Sequence, residues 1–312
     1  MNPISAIFGA GVTIRNALYD RRVFKVHKLA RPVISVGNIS VGGTGKTPFV
    51  IALGELLNRR GIAFDVLSRG YGRSSTEIAV VDPDGTSASF GDEPLLMARK
   101  LGVPVIVGAD RYQAGLLAEK QFSSKLHLLD DGFQHRRLHR DFDIVLLPAK
   151  DYRGTLLPVG RLREPLKALR RADAVVLQDS LKLSPGPKRV WNVHRKTEIA
   201  ESSDRVIAFC GIGRPQQFFD ALQAHGQEVG GTMIFRDHHH YVESDISRLL
   251  ETKKKLNASG FITTAKDVIN LDRLATQLVP LQTASLRIEL ESPEQVISEI
   301  LQTLEQRCAC KF

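Results

Sequence analysis

The sequence predicts a doubly wound, mostly parallel α/β sheet over about residues 33–180, followed by a second, smaller α/β domain. Three observations carry this reading. Short β-rich runs alternate with helical patterns of ten to fifteen residues. The runs are apolar throughout, as expected of strands covered on both faces. The first of them ends in a glycine-rich loop that opens a helix.

Residues 33–39 (VISVGNI) form the first strand. A helical pattern follows from Lys46 to Arg60, with Phe49, Val50, Leu53, Leu56 and Leu57 at helical spacing. Gly61 sits just past it, where a glycine ends a helix. AFDVLS (63–68) is the next strand, then the turn Arg69-Gly70-Tyr71-Gly72-Arg73 and the run EIAVVD (77–82). Helical patterns over 92–101 and 111–121 flank the strand VPVIVG (103–108). LHLLD (126–130), DIVLLP (143–148) and AVVLQD (174–179) complete the first series. Residues 181–192 (LKLSPGPKRVWN) carry two prolines, a glycine and three lysines or arginines, a composition that marks a boundary. The chain accordingly divides into residues 1–190 and 191–312. The second part contains VIAFCGI (206–212), a helix over 215–225, FITTA (261–265), SLRIEL (285–290) and a helix over 293–306.

With 312 residues, 43% of them apolar and 25% charged, the chain is long enough to bury a core and is not a disordered tail, a collagen-like repeat or a multi-span membrane protein. Three cysteines, Cys210, Cys308 and Cys310, are too few and too unevenly placed for a disulfide framework, which suits a reducing compartment. The Cys308/Cys310 pair lacks a second Cys/His pair beside it and is not read as a metal site. The net charge of +9 favours acidic partners. The excess is concentrated in Arg15, Arg21, Arg22, Lys25, Lys28 and Arg31, and again between Arg136 and Arg171. Aromatics make up only 6% of the chain and do not interleave with these clusters, so a nucleic-acid partner is not expected.

Residues 3–14 (PISAIFGAGVTI) are mostly apolar and precede the first basic cluster. Twelve residues are too short to span a bilayer, which takes roughly 20, and the charges follow the apolar stretch, the reverse of a secretory signal. Two readings stand: a core-packing helix, or a helix in a membrane interface. In the second, Ile4, Ile7, Phe8 and Ile14 enter the acyl boundary and Arg15, Arg21, Arg22 and Lys25 meet anionic headgroups.

The strongest motif is Ser40-Val41-Gly42-Gly43-Thr44-Gly45-Lys46-Thr47, between a strand and a helix. This is the context of a P-loop: glycines Gly42, Gly43 and Gly45, with Thr44, turn backbone amides toward phosphate oxygens, and the helix N-terminus adds positive potential. Lys46 is positioned for the β- and γ-phosphates and Thr47 for Mg²⁺. Ser40 stands where the usual pattern has its first glycine. The fold class is therefore P-loop NTPase-like. Asp130 and Asp131, at the end of an apolar strand, supply the carboxylates such a site needs at the ligand-binding edge of the sheet. A guanine reader is missing: the nearest run, Thr264-Ala265-Lys266-Asp267, lacks its asparagine. Acceptor-site candidates are Gly91-Asp92-Glu93-Pro94, where Asp92 doubles as a possible N-cap, and Asp237-His238-His239-His240-Tyr241. Three adjacent histidines do not share a face, so they are not expected to converge on one ion.

Together, SVGNISVGGTGKTP, SRGYGR, GDEP, GADRY, LDDGFQH, LLPVGRLREP, DHHHY and TTAKD resemble the tetraacyldisaccharide 4′-kinase family of lipid A biosynthesis, from about residue 33 to 267. The resemblance implies ATP- and Mg²⁺-dependent phosphorylation of the 4′-hydroxyl of an acylated glucosamine disaccharide 1-phosphate. It implies a peripheral enzyme, expected to be a monomer, at the cytoplasmic face of the inner membrane. It makes Asp92 the base for the sugar hydroxyl, supported by His238. It places Asp130, Asp131, Gln134 and Glu164 around Mg²⁺ and the triphosphate, with Arg111 and Arg163 as phosphate partners. It turns the N-terminal segment into a membrane and acyl-chain contact. Two other classes compete: a P-loop ATPase or GTPase switch or chaperone without a small-molecule acceptor, and a soluble kinase or ligase with no use for the N-terminal segment.

Overall fold

The structure is a computed structural model and describes residues 2–178, 189–199, 204–308 and 312. Helix α1 (Pro3–Asp20) precedes β1 (Val33–Asn38), α2 (Lys46–Arg59), β2 (Phe64–Ser68), β3 (Ala79–Val80) and α3 (Ser87–Phe90). Then come α4 (Asp92–Leu101), β4 (Val105–Val107), α5 (Arg111–Gln121), β5 (Leu126–Asp130), β6 (Phe142–Pro148) and β7 (Ala174–Gln178). The remainder is β8 (Val190–Glu198), β9 (Val206–Cys210), α6 (Pro215–Ala224), β10 (Val229–Ile234), α7 (Glu243–Lys255), β11 (Gly260–Thr264), α8 (Ala265–Leu271), β12 (Leu281–Leu290) and α9 (Pro293–Cys308).

All the described strands join one sheet in the order β10-β9-β11-β12-β8-β7-β6-β1-β5-β2-β4-β3. Strands β8, β7, β6, β1, β5, β2 and β4 run parallel, and so do β12, β11, β9 and β10. The two sets are spliced by the antiparallel β8–β12 pair. The register shows how. The first part of β12 pairs with β11, ending at Thr264 opposite Ala284. The next residue, Ser285, lies opposite Glu198 at the end of β8. The carboxyl ends of β11 and β8 therefore meet at the middle of β12. In open α/β sheets ligands bind at strand carboxyl ends, and here two such ends face one another.

Every residue of β1, β2, β5, β6 and β7 is buried, which is why these strands read as unbroken apolar runs. Phe49, Leu53 and Leu57 of α2 join Phe64, Leu95 and Leu101 in the main core cluster. The region around 77–82 differs from expectation: only Ala79 and Val80 form a strand, an antiparallel edge beside β4. The boundary segment also differs where it is described. Trp191 and Val193 are buried while Val190 and Asn192 are exposed, and residues from Val190 onward form β8. This two-residue alternation makes them sheet rather than linker. Residues 181–188, Asp179 and Cys310 lie outside the described residues.

Gly37 of β1 lies beneath the loop that follows β5. A Cβ there would stand 2.6 Å from Phe133 Cβ and 2.8 Å from its backbone nitrogen, and Phe133 is fully buried. Gly37→Ala is expected to destabilise the fold by about 1–3 kcal/mol through overpacking, seen as a lower urea midpoint. An unchanged midpoint would show that the loop yields without cost.

Candidate active site

The loop after β1 is held from beneath. Gly42 and Gly45 have φ of 89° and 86°, left-handed values that a glycine adopts without a steric penalty. Gly45 is the N-cap of α2 and provides no side chain there. Asn38 Nδ2 donates to Thr44 Oγ1 at 2.8 Å. Gln178 Nε2 and Arg195 Nη2 donate to the Thr44 carbonyl at 2.7 and 3.1 Å. The Ser40 hydroxyl donates to buried Asp151 at 2.6 Å, and Asp151 also pairs with Arg161. The departure at Ser40 thus has a structural reason: its side chain anchors the loop's first residue to Asp151, in the short helical turn after β6.

The loop opens on a cleft of about 1240 Å³. Lys46, Thr47, Asp130, Asp131 and Arg163 line one side; Arg214, Asp237, His238 and Lys266 line the other. Lys46 Nζ stands 3.4 Å from Asp131 and Arg163 Nη1 stands 3.1 Å from it. These two cations overcome the effect of burial and hold the Asp131 carboxyl below its ordinary range. Asp130 is in the opposite condition. Burial, then the charges of Glu93 and Asp131, push its carboxyl up to about 7. Its Oδ2 accepts from Ser68 at 3.1 Å, and its buried Oδ1 has no hydrogen-bond partner among the described residues.

An unpartnered buried carboxylate oxygen beside a phosphate loop fits a divalent cation. Among the described residues no group of three or more His, Cys, Asp or Glu forms a complete protein cage. That matches the habit of Mg²⁺, which takes one or two carboxylates together with nucleotide phosphates.

Across the cleft, Asp92 opens α4 but is not its cap. Gly91 holds the N-cap position and makes no side-chain bond. The Asp92 carboxylate is buried and accepts from His238 Nδ1 at 2.9 Å, from Asn270 Nδ2 at 3.2 Å and from the Glu93 amide at 2.8 Å. Lys266 Nζ lies 3.6 Å away. Burial alone would raise this carboxyl; the His238 hydrogen bond and the Lys266 charge outweigh it and hold it down at about 2. The same hydrogen bond raises the His238 imidazole above its ordinary value, against burial. His238 has φ of 58°, a strained conformation of the kind found at functional sites. The three histidines diverge: His239 bonds Asp245 at 2.8 Å and His240 faces Ser87 at 3.5 Å.

Three expected phosphate- or metal-site residues are not in the cleft wall. Glu164 is 1% exposed, and its oxygens are taken by Asn16, Gln134 and Arg171 at 2.7, 3.0 and 3.0 Å. It is a structural hub, not a free ligand. The Gln134 amide is spent on Asn38 O and Glu164. Arg111 is buried behind the aspartates and donates to Ala109 O at 2.8 Å. Burial, then the charge of Arg69, lowers its proton affinity while Asp131 and Asp130 raise it. Sequence reasoning missed Gln178, Arg195, Lys266 and Asn270. Lys266 lies in the Thr-Ala-Lys-Asp run, which belongs to the family motifs and lacks the asparagine of a guanine reader, but the run itself gives no sign of contact with Asp92 or His238. Its Asp267 is fully buried and bonds Gly211 N and Tyr241 Oη at 2.8 and 2.9 Å, so it is not available to a base.

Residues 1–305 match the family model described as tetraacyldisaccharide-1-P 4′-kinase. A tetraacyldisaccharide 4′-kinase of Koribacter versatilis is 50% identical over 320 residues, spanning 98% of this chain and 99% of the relative. One from Aquifex aeolicus is 41% identical over 290 residues, spanning 86% and 88%. A crystal structure of LpxK from Aquifex aeolicus in complex with ATP superposes with a TM-score of 0.79 at 36% identity, covering 96% of this chain and 97% of the other.

A carboxyl that titrates near neutrality binds a cation only by losing its proton. Divalent-cation affinity, followed by Mn²⁺ titration, is expected to fall about tenfold per pH unit below about pH 7. Asp130→Asn is expected to weaken binding roughly tenfold or more and to flatten that dependence. The same pH slope in the variant would remove Asp130 from the cation site.

Proposed function

The chain belongs to the tetraacyldisaccharide-1-P 4′-kinase family, and we propose that the cleft-facing imidazole of His238, held by Asp92, is the group that receives the proton of the sugar alcohol. The protein is an ATP-dependent kinase that phosphorylates the 4′-hydroxyl of tetraacyldisaccharide 1-phosphate. The observation that carries the mechanistic reading is the placement of Lys46 and His238 in the walls of one cleft.

The acceptor is an alcohol that stays protonated at neutral pH, so it needs an oriented proton acceptor as its oxygen approaches phosphorus. Asp92 is poorly suited to receive that proton, because it is buried and surrounded by donors. It is better suited to orienting the imidazole, since its carboxylate takes the Nδ1–H of His238 and leaves Nε2 toward the cleft. The alcohol proton passes to Nε2 as the new O–P bond forms at the γ-phosphorus. The bond from that phosphorus to the β–γ bridging oxygen breaks, and ADP leaves with the electron pair. Lys46 and Arg163 offset the charge on the phosphoryl oxygens. Asp130 and Thr47, with Asp131 adjoining, would hold Mg²⁺, which would offset charge on the triphosphate. The lobe that carries the phosphate loop and the lobe that carries His238 and Lys266 supply the two walls, and their closure excludes water. A switch or chaperone has no need for a base opposite its phosphate loop.

The acceptor is a lipid, and α1 provides the contact with its membrane. Ile4, Ile7 and Ile14 are 59%, 74% and 61% exposed, Phe8 is half-buried, and Val23, Phe24 and Val26 beyond the helix are exposed too. A core-packing helix would hide these side chains. Arg21, Arg22 and Lys25 are exposed beside them, and each basic residue at an anionic surface contributes about 1 kcal/mol. None of the described helices is long and apolar enough to cross a membrane. The enzyme works as a peripheral protein, a monomer on the cytoplasmic face of the inner membrane.

Asp92→Asn is expected to lower kcat by roughly a hundredfold or more with ATP affinity within about a factor of two. Its acidic limb should move to lower pH, because the carboxylate that raises His238 is gone. An equal loss of ATP binding would contradict this assignment. Deleting residues 1–14 is expected to release the protein from anionic liposomes in a sedimentation assay. Undiminished partitioning would refute the interfacial role of α1.

A further inference from the structure

The Thr264-Ala265-Lys266-Asp267 turn joins β11 to α8, and its lysine projects into the cleft wall. Lys266 Nζ stands 3.2 Å from His238 Nε2, 3.1 Å from Asp237 Oδ1 and 3.6 Å from Asp92 Oδ2. The turn itself is fixed: buried Asp267 accepts from Gly211 N, at the start of the loop after β9, and from Tyr241 Oη, three residues beyond His238. The lysine therefore comes from an element locked to the segment that carries the histidine.

We propose that Lys266 is a positioning residue: its ammonium fixes His238 as the Nδ1–H tautomer and caps Nε2 until the acceptor alcohol takes its place. The proposal rests on the Asp92–His238 reading above. An ammonium donates and cannot accept. Opposite Lys266, Nε2 must therefore be the accepting nitrogen, which leaves the proton on Nδ1, facing the Asp92 carboxylate. The charged groups around the imidazole are Asp92 from α4, Lys266 from α8 and Asp237 from its own loop, with the Tyr71 ring centred 5.2 Å away. Asp92 and Asp237 favour the imidazolium and Lys266 opposes it. The lysine thus offsets part of the rise that Asp92 and Asp237 impose on the imidazole. When the alcohol displaces it, the ammonium retains Asp237 and Asp92 as partners and leaves no buried carboxylate uncompensated. In the absence of the alcohol, the capped nitrogen is withheld from water, which disfavours wasteful hydrolysis of ATP.

The test is the kcat–pH profile of the full-length enzyme with ATP and the acylated disaccharide in mixed micelles. Lys266→Met is expected to move the acidic limb up by about one pH unit. On the acidic side of the limb that is roughly a tenfold loss of kcat, recovering at higher pH, with ATP affinity within about a factor of two. Lys266→Arg should keep the limb near its wild-type position. Lys266→Gln is the second neutral variant and should behave as Lys266→Met, should that variant fold poorly. ATP hydrolysis without acceptor, measured at the top of each profile, should rise severalfold in the neutral variants. A limb that stays in place in both neutral variants overturns the role of Lys266, whatever their maximal rates. His238→Ala separates the two readings: loss of transfer at every pH sustains the base assignment while Lys266 is judged alone, and wild-type transfer removes both.

Discussion

The site depends on one two-stranded ribbon. Strands β8 and β12 run antiparallel and splice two parallel sheets that point in opposite directions. If β8 and β12 were parallel, the carboxyl ends of the two sets would share one edge and open on the same side. As built, they face each other across Ala284 and Ser285 of β12. The phosphate loop follows β1 in one set, and the Asp237–His238 segment follows β10 in the other. Arg195, Glu198 and Arg287 of the ribbon line the cleft between them. The phosphate loop and the Asp237–His238 segment are thus brought to the walls of one cleft by the pairing of β8 with β12.

Burial and its partners give the acidic residues their different roles. Asp92, Asp130 and Glu164 are all almost inaccessible to solvent, but their partners differ. Glu164 is matched by Arg171, Asn16 and Gln134, and these hold it ionised against the effect of burial. Asp92 is matched by a histidine, a lysine and an asparagine. Among the described residues Asp130 has only Ser68 as a side-chain hydrogen-bond partner, and two neighbouring carboxylates raise its proton affinity. A buried carboxylate lacking compensation is costly, and a cation is the partner that removes the cost. Glu164 also ties α1 to the site, since Asn16 reaches it, Gln134 joins it to Asn38 of β1, and Arg163 joins Gln134 to Asp131. The helix with the exposed isoleucines is therefore built into the wall behind the phosphate loop.

Much of this was legible in the residues. Buried parallel strands announce themselves as apolar runs, and LHLLD at 126–130 coincides with β5. Glycine and lysine spacing placed the phosphate loop, because backbone turn and helix start are local properties. The splice was not legible. VWNVHRKTE alternates as a half-exposed strand should, but the prolines, glycine and basic residues just before it suggested a linker. Strand β10 was hidden because Gly230 and Gly231 interrupt its pattern, against Arg205 and Leu256. Among site residues, Glu164 was placed by family resemblance near the metal; a sequence does not show that three side chains from α1, the loop after β5 and the segment after Pro165 converge on it. Lys266 and Asn270 escaped notice for the same reason, since each acts on Asp92 from more than 170 positions away.

If the two lobes deliver one phosphoryl group to one sugar oxygen, the position of the transferred phosphate reports it most directly. The measurement is to incubate the enzyme with γ-labelled ATP and the acylated disaccharide 1-phosphate, then locate the new phosphate by phosphorus–proton NMR correlation. A single labelled monoester coupled to the proton on the 4′ carbon, formed in step with ADP, is the expected result. Label recovered only as inorganic phosphate, or attached at another hydroxyl, would contradict it.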